Sequence, residues 1–366
     1  NYGLEDGIAG DALRNTNPGV TPIDPVTGRY GAAMAYGENT QAANLLAQYS
    51  IDHNEELSKR INGVFYSSWE PIKGLVARID YGINYTNRFS RSYSDPTSIY
   101  NLQTGGLVSI LVGDNAGISN SNNDDYKTNL QLRLNYEKDL FKNHKLGATL
   151  VYTEEYWDER SLSGSRLNRL YPNILQISAA DPTIQTVSGS SSAEGLRAYI
   201  GRFNYNISDK YLFEATTRYD GSSKFSDGNR YGIFPSVSAG WRFSEESFFK
   251  PLQNIITSGK IRMSWGSLGN NSGVGRYEQR NTYQFTPYIN NGSIVKGFSY
   301  SKMINPDFSW ESTEVLNAGL QFGILNNLFT AEFDYYDRLT RGMIRPSDFS
   351  AFLTGYTPPR VNVGNL

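Results

Sequence analysis

Leu75-Val76-Ala77-Arg78-Ile79-Asp80-Tyr81-Gly82-Ile83-Asn84-Tyr85-Thr86 is the stretch that decides the fold. Leu75, Ala77, Ile79, Tyr81, Ile83 and Tyr85 occupy the odd positions, and Arg78, Asp80, Gly82, Asn84 and Thr86 fall between them. Successive strand side chains point to opposite faces, so this period of two predicts a strand with one apolar and one polar face. The pattern returns from Tyr126, with Tyr126, Leu130, Leu132, Leu134 and Tyr136 on one face. Lys127, Asn129, Gln131, Arg133, Asn135 and Glu137 take the other. Copies occur at 146–156, 199–206, 211–220, 233–243, 260–269, 316–324 and 328–336, with a weaker one at 59–69. Helical spacing is weak throughout. The reading is an all-β chain of about ten antiparallel strands.

The connections sort by length. Residues 70–74, the link through Asn143, residues 206–210 and Asn326-Asn327 are short, whereas 88–125, 157–195 and 270–313 are long. Residues 221–229 and 244–258 are intermediate, and short and long links alternate. A soluble sandwich has no reason to sort its loops, but a transmembrane β-barrel has short periplasmic turns and long outer loops. Residues 70–74, 139–144, 207–209, 244–258 and 325–327 are therefore expected on one side of a membrane. Residues 88–125, 157–195, 221–229, 270–313 and 339–360 are expected on the other. Segments of about 11–14 residues, tilted by about 45°, cross roughly 25–33 Å, the height of a hydrocarbon core.

Composition agrees. Of 366 residues, 34 are basic and 36 acidic, so no basic field exists for nucleic acid. With no cysteine and only His53 and His144, disulfides, thiolate metal sites and multi-histidine sites are excluded. The longest apolar run, around Leu107 to Val112, is far short of the roughly 18 residues of a membrane helix. Of the 26 tyrosines, Tyr126 and Tyr136 end one face of a strand and Tyr211 and Tyr219 do so on another. There an amphipathic ring suits the headgroup level. Leu130, Leu132 and Leu134 are expected to face lipid, and Gln131 and Arg133 the lumen. Arg202, Glu214, Arg262, Glu332 and Asp334 share the polar side, where lipid contact would cost a few kcal/mol each.

No catalytic constellation emerges. Glu154-Glu155 and Asp124-Asp125 are adjacent, so their carboxylates point to opposite faces. Residues 266–273 are glycine-rich but lack the Gly-Lys-Ser/Thr of a phosphate loop. Asp114-Asn115-Ala116-Gly117 and residues 120–125 lack the spacing and distal glutamate of a calcium loop and read as polar loop. No cofactor and no metal site is expected.

Arg218-Tyr219-Asp220-Gly221-Ser222-Ser223-Lys224-Phe225, followed by Tyr231-Gly232-Ile233-Phe234-Pro235-Ser236-Val237-Ser238-Ala239-Gly240-Trp241-Arg242, resembles the SusC/RagA-like TonB-dependent transporters of Gram-negative outer membranes. Lys260 to Asn270, Asn305 to Glu311, Asn317-Ala318-Gly319-Leu320, Phe333-Asp334-Tyr335-Tyr336 and Val361 to Leu366 resemble them too. Over the first 200 residues the likeness is one of organisation. The motifs read as structural: a turn at 220–223, close packing at Gly232 and Gly240, and an anchor at 306–310.

The resemblance implies a barrel of about 22 strands with an N-terminal plug and a TonB-contacting segment. Only about ten strands, and neither of the other parts, are legible here. The chain is therefore expected to be a barrel segment of a longer polypeptide, with 1–58 a long extracellular loop region and 59–366 the strands. The resemblance further implies a non-enzymatic role: TonB-energised import of oligosaccharides, or less often peptides. A SusD-like surface lipoprotein would be the lid, in an outer membrane whose lipids surround the wall. The rival readings are a passive porin or channel and a soluble secreted glycan-binding β protein. Sugars stack on aromatic rings and bond to amides and carboxylates. Trp157, Arg166, Arg169, Tyr171 and Asn173 in one long loop, and Tyr277, Tyr283 and Tyr288 in another, are thus the candidate substrate or lid contacts.

Overall fold

A computed structural model describes residues 21–32, 44–112, 115–169, 171 and 173–365. Residues 1–20 and 33–43 of the expected leading loop region, Asp114 and Leu366 lie outside the described residues. Chain order gives β1 (Tyr30–Gly31), β2 (Asp52–Ile72), β3 (Leu75–Ser94), β4 (Thr97–Tyr100), β5 (Leu107–Leu111), β6 (Ile118–Phe141), β7 (His144–Arg166) and β8 (Gln185–Ile207). It continues with β9 (Tyr211–Ser222), β10 (Tyr231–Trp241), β11 (Ile256–Asn270), β12 (Tyr283–Asn290) and β13 (Ser293–Tyr300). The last four are β14 (Glu311–Ile324), β15 (Phe329–Arg341), β16 (Ile344–Pro346) and β17 (Arg360–Asn362).

Ten of these form one sheet in the order β15-β14-β11-β10-β9-β8-β7-β6-β3-β2, a meander that follows the chain. Each expected strand lies on one of the ten; only residues 242–243 and 328 fall outside. Directly opposed residues share a face. One line of register runs Phe203, Ala215, Val237, Trp265, Leu316, and the next Phe213, Ala239, Met263, Ala318, Tyr335. A third runs Trp241, Ile261, Leu320, Phe333. The opposite face carries Asn204, Glu214, Ser238, Ser264, Asn317 in one line and Gly240, Arg262, Gly319, Asp334 in the next. The apolar side chains stay exposed: Phe203, Val237, Met263 and Phe333 show 48–63% of their surface. On β6, Leu132 and Leu134 are exposed, while Arg133 Nη2 donates to Gln131 Oε1 at 3.2 Å.

The chain divides into two compact units. One comprises Asn62–Asn84, Tyr126–Asp158 and Ser192–Leu366; the other comprises Asn1–Ile61, Tyr85–Asp125 and Glu159–Ser191. The second unit is nearly the set of segments expected as the leading loop and the first two long loops. It contains more strand than expected: β3 continues to Ser94, β6 begins at Ile118, β7 continues to Arg166 and β8 begins at Gln185. These extensions are mostly polar, with only scattered apolar residues such as Phe89, Tyr93, Leu162 and Val187, so alternation fades while the strands continue. Residues 120–125, expected as loop, are part of β6. Asn87 Nδ2 donates to Asn122 Oδ1 and Asp124 Oδ1, both at 2.9 Å, and the Tyr85 hydroxyl donates to Asp124 at 2.7 Å.

In the first unit, the expected loop 270–313 holds the β12–β13 hairpin. Asn291 and Gly292 at its tip have φ of 49° and 76°, the positive pair that a tight Asn-Gly hairpin turn requires. Phe225, Val274 and Phe308 form a buried cluster with Trp310 and Ile344 packed on it. Trp310 Nε1 donates to the Arg230 carbonyl at 3.0 Å, and a Cβ on Gly232 would lie 3.2 Å from the indole. The anchor expected at 306–310 is thus a small aromatic core under the connections of β9 and β11. Phe308 is 2% exposed. Phe308→Ala should cost roughly 3–5 kcal/mol of local stability. Limited proteolysis should then cut within 223–230 and 271–310 while the sheet stays intact; an unchanged digestion pattern would contradict this packing.

Candidate functional site

The polar face forms a basin of about 470 Å³ across β8, β9, β10, β11 and β14. Its floor is the register line Asn204, Glu214, Ser238, Ser264, Asn317, in which two small hydroxyls lie between larger polar groups. Its flanks are ion pairs. Arg202 of β8 reaches Glu214 of β9, two residues from its own register partner Thr216. Arg262 Nη2 donates to Asp334 Oδ1 and Oδ2 at 2.7 and 2.8 Å, and also to Glu332. Gly319 stands between them in register, and a Cβ there would collide with Arg262 Nε and Asp334 Oδ1. Glycine therefore lets the guanidinium lie across β14 and join β11 to β15. Lys260 adds an ammonium at the edge, over Gly240. The charges balance, so the basin selects neither sign. Amides, hydroxyls and pinned ion pairs are donors and acceptors suited to a neutral, polar solute.

The sequence-based candidates fall in both units. Trp157 lies in β7 rather than in a loop, with Lys127 Nζ 4.5 Å from its ring centroid and 3.8 Å from Glu155. Tyr277 has φ of 62°, and its hydroxyl accepts the Ala193 N–H at 2.7 Å. Tyr283 and Tyr288 lie on the β12–β13 hairpin: Tyr283 stacks against Tyr300 at 5.2 Å, and the Tyr288 ring lies over Gly297. In the other unit, Arg166 donates to Gln185 Oε1 at 3.1 and 3.3 Å. Arg169 is buried and committed to Asp95, with the Tyr93 ring 5.0 Å from its Cζ. Tyr171 and Asn173 are exposed. Tyr171 is thus available to a ligand, whereas Arg169 is held by the protein itself.

Two features escaped the sequence. Glu194 is clamped between Lys224 Nζ at 3.2 Å and Arg276 Nε at 3.1 Å, and Arg276 Nη1 donates to Ser192 Oγ at 2.7 Å. The Lys224 of the quoted motif is the visible end of that clamp. At the turn after β10, Glu246 accepts from the Tyr211 hydroxyl at 2.6 Å, Lys210 Nζ at 3.1 Å and Trp241 Nε1 at 3.3 Å. Among the described residues, no group of three metal-ligating side chains occurs.

A meander of ten strands with one apolar and one polar face is the wall of a large β-barrel. The chain matches the family model "TonB dependent receptor-like, beta-barrel" over residues 1–365 and belongs to that family of receptors. TonB-dependent receptor P26 of Formosa agariphila is 28% identical over 357 residues, which is 94% of this chain and 34% of that protein. TonB-dependent receptor SusC of Bacteroides thetaiotaomicron is 36% identical over 199 residues, 51% of this chain and 19% of that one. The RagAB peptide importer in its open-open state gives a TM-score of 0.77 at 22% identity, covering 94% of this chain and 36% of that one, which establishes the fold. The chain spans about a third of the length of the relatives it matches along most of its length.

The Tyr211 hydroxyl, then Lys210 and Trp241, hold the Glu246 carboxyl below its ordinary value of 4.5. A depressed carboxylate contributes stability fully above its unfolded value and loses it as pH falls through the folded one. Urea midpoints should therefore drop below about pH 4.5 more steeply in the parent than in Glu246→Gln. Parallel curves would show that the cluster contributes nothing.

Proposed function

We propose that this chain is part of the outer-membrane wall of a SusC/RagA-like importer. In this reading it takes up oligosaccharides or peptides on energy from TonB, under a SusD-like surface lipoprotein. The observation that carries the reading is the register itself. An exposed apolar face backed by a charge-balanced polar face suits a wall between hydrocarbon and a water-filled lumen. Family membership supports the TonB dependence, the likeness to the RagAB peptide importer supports a peptide solute, and the oligosaccharide and the lid rest on the motif resemblance. An ion-selective pore would carry one sign of charge, which the pairs Arg202–Glu214 and Arg262–Asp334 do not.

The basin, Trp157 and the exposed Tyr171 are the residues on which a solute would act. In the full-length protein, Trp157→Ala and Tyr171→Ala should each lower uptake of a labelled oligosaccharide several-fold, with barrel levels in the membrane unchanged. Parental uptake in both variants would place recognition elsewhere. The side assignment has its own test. On intact cells, Ser121→Cys should react with an impermeant maleimide and Ser208→Cys should not; equal labelling would overturn the topology.

A further inference from the structure

The apolar face of the sheet is not flat. Ala77, Gly201 and Thr217 are small and lie among Trp69, Leu132 and Leu150, leaving a groove of about 680 Å³ that crosses β2, β3, β6, β7, β8 and β9. It belongs wholly to the unit that contains the basin. Six neighbouring strands about 4.8 Å apart make it roughly 24 Å long. On strands tilted by about 45° it climbs roughly 17 Å, close to one leaflet of a hydrocarbon core about 30 Å thick. On a face that meets hydrocarbon, such a hollow is filled by a chain or forfeits its dispersion contacts. The occupant is thereby set: a single acyl chain lying along the groove.

One side of the groove has a different chemistry. Tyr152, Tyr199, Tyr219 and Tyr231 form a row with ring centroids 5.2, 6.3 and 4.8 Å apart. Beside them Arg197 Nη2 donates to Glu154 at 2.9 Å, and the Tyr152 hydroxyl donates to the same carboxylate. Register places Arg197 opposite Gly221, and Gly221 opposite Tyr231, on the apolar face. Gly221 leaves room for the Tyr231 ring. Arg197 lies closer than Tyr199 to the connection that precedes β8, and Glu154 closer than Tyr152 to the one that follows β7. The polar pair therefore sits between the groove and the long connections. The pair is neutral as a unit, so it offers little net attraction to a bare phosphate. Aromatic faces beside a carboxylate and a guanidinium do suit a sugar, whose C–H face stacks and whose hydroxyls bond.

We propose that the groove binds one acyl chain of an outer-leaflet glycolipid, with its sugar headgroup on the tyrosine row beside Glu154 and Arg197. The inference rests on the membrane reading above. Its test uses the full-length protein, extracted in mild detergent from its own outer membrane and weighed by native mass spectrometry. The parent should retain one glycolipid per chain. A Cβ at Gly201 meets only Leu150 Cδ2, at 3.8 Å, so Gly201→Leu fits and fills the floor. That variant should retain at least tenfold less glycolipid, while Ala239→Leu, on the same face outside the groove, retains as much as the parent. Heat-modifiable migration checks that all three barrels are folded. A parent that retains no lipid, a parent that retains only phospholipid, or a Gly201→Leu variant that retains the parental amount would each overturn the proposal. Absence of the protein from the membrane fraction would instead overturn the membrane reading beneath it.

Discussion

Cross-strand register is the constraint on which everything else depends. The backbone of each strand is satisfied by its neighbours, and the side-chain period of two then assigns every residue to a face. A slip of one position between β10 and β11 would bring Trp265 into line with Ser236 or Ser238 and move Ser264 to the apolar side. Five strands, β8 to β11 and β14, keep the assignment along their central lines, whereas on β15 Asp337 pairs with Leu316 and Tyr336 with Asn317. This is why two surfaces of opposite polarity can be built from segments of only 11 to 15 residues in β9, β10, β11, β14 and β15.

The polar face gains its rigidity from the same register. Arg262 can bridge three strands because Gly319 has no side chain at the crossing point. The pair is partly exposed, so its direct contribution is modest. Its effect is geometric: a guanidinium held flat against the wall leaves the Ser238 and Ser264 hydroxyls uncovered as the floor of the basin. The aromatic core around Phe225 and Phe308 acts likewise above the strands, tying the connections after β9 and β11 to each other. The motifs that carry the family likeness therefore supply both packing devices, as at Phe225 and Phe308, and the Ser238, Ser264 and Asn317 part of the basin floor.

The ten sheet strands were legible because alternation depends only on local order, as 75–86 and 126–137 illustrate. The extensions at 87–94 and 118–125 were not, because isolated apolar residues such as Phe89, Tyr93 and Ile118 among polar ones make no period of two to detect. The β12–β13 hairpin did leave a signal: Tyr283, Phe285 and Ile289 alternate before Asn291-Gly292, although the segment was read as loop. The basin was legible only as a polar face. Its shape depends on which glycine or serine lies opposite which charge, and Gly319 and Arg262 are far apart in sequence. Glu194 of β8 was silent for the same reason, since its partners Lys224 and Arg276 belong to the connections after β9 and β11.

The central claim, that one face of this wall meets hydrocarbon and the other water, can be measured along a single strand. Cysteines placed one at a time from Ser236 to Ala239 in the full-length protein, in its membrane, can be offered a water-soluble maleimide and a bilayer-confined quencher. The account predicts strict alternation. Positions 236 and 238 should react with the maleimide, whereas positions 237 and 239 should be shielded from it and, once labelled in detergent and returned to lipid, be quenched from the bilayer. Uniform reactivity along the strand, or quenching at 236 and 238, would contradict it.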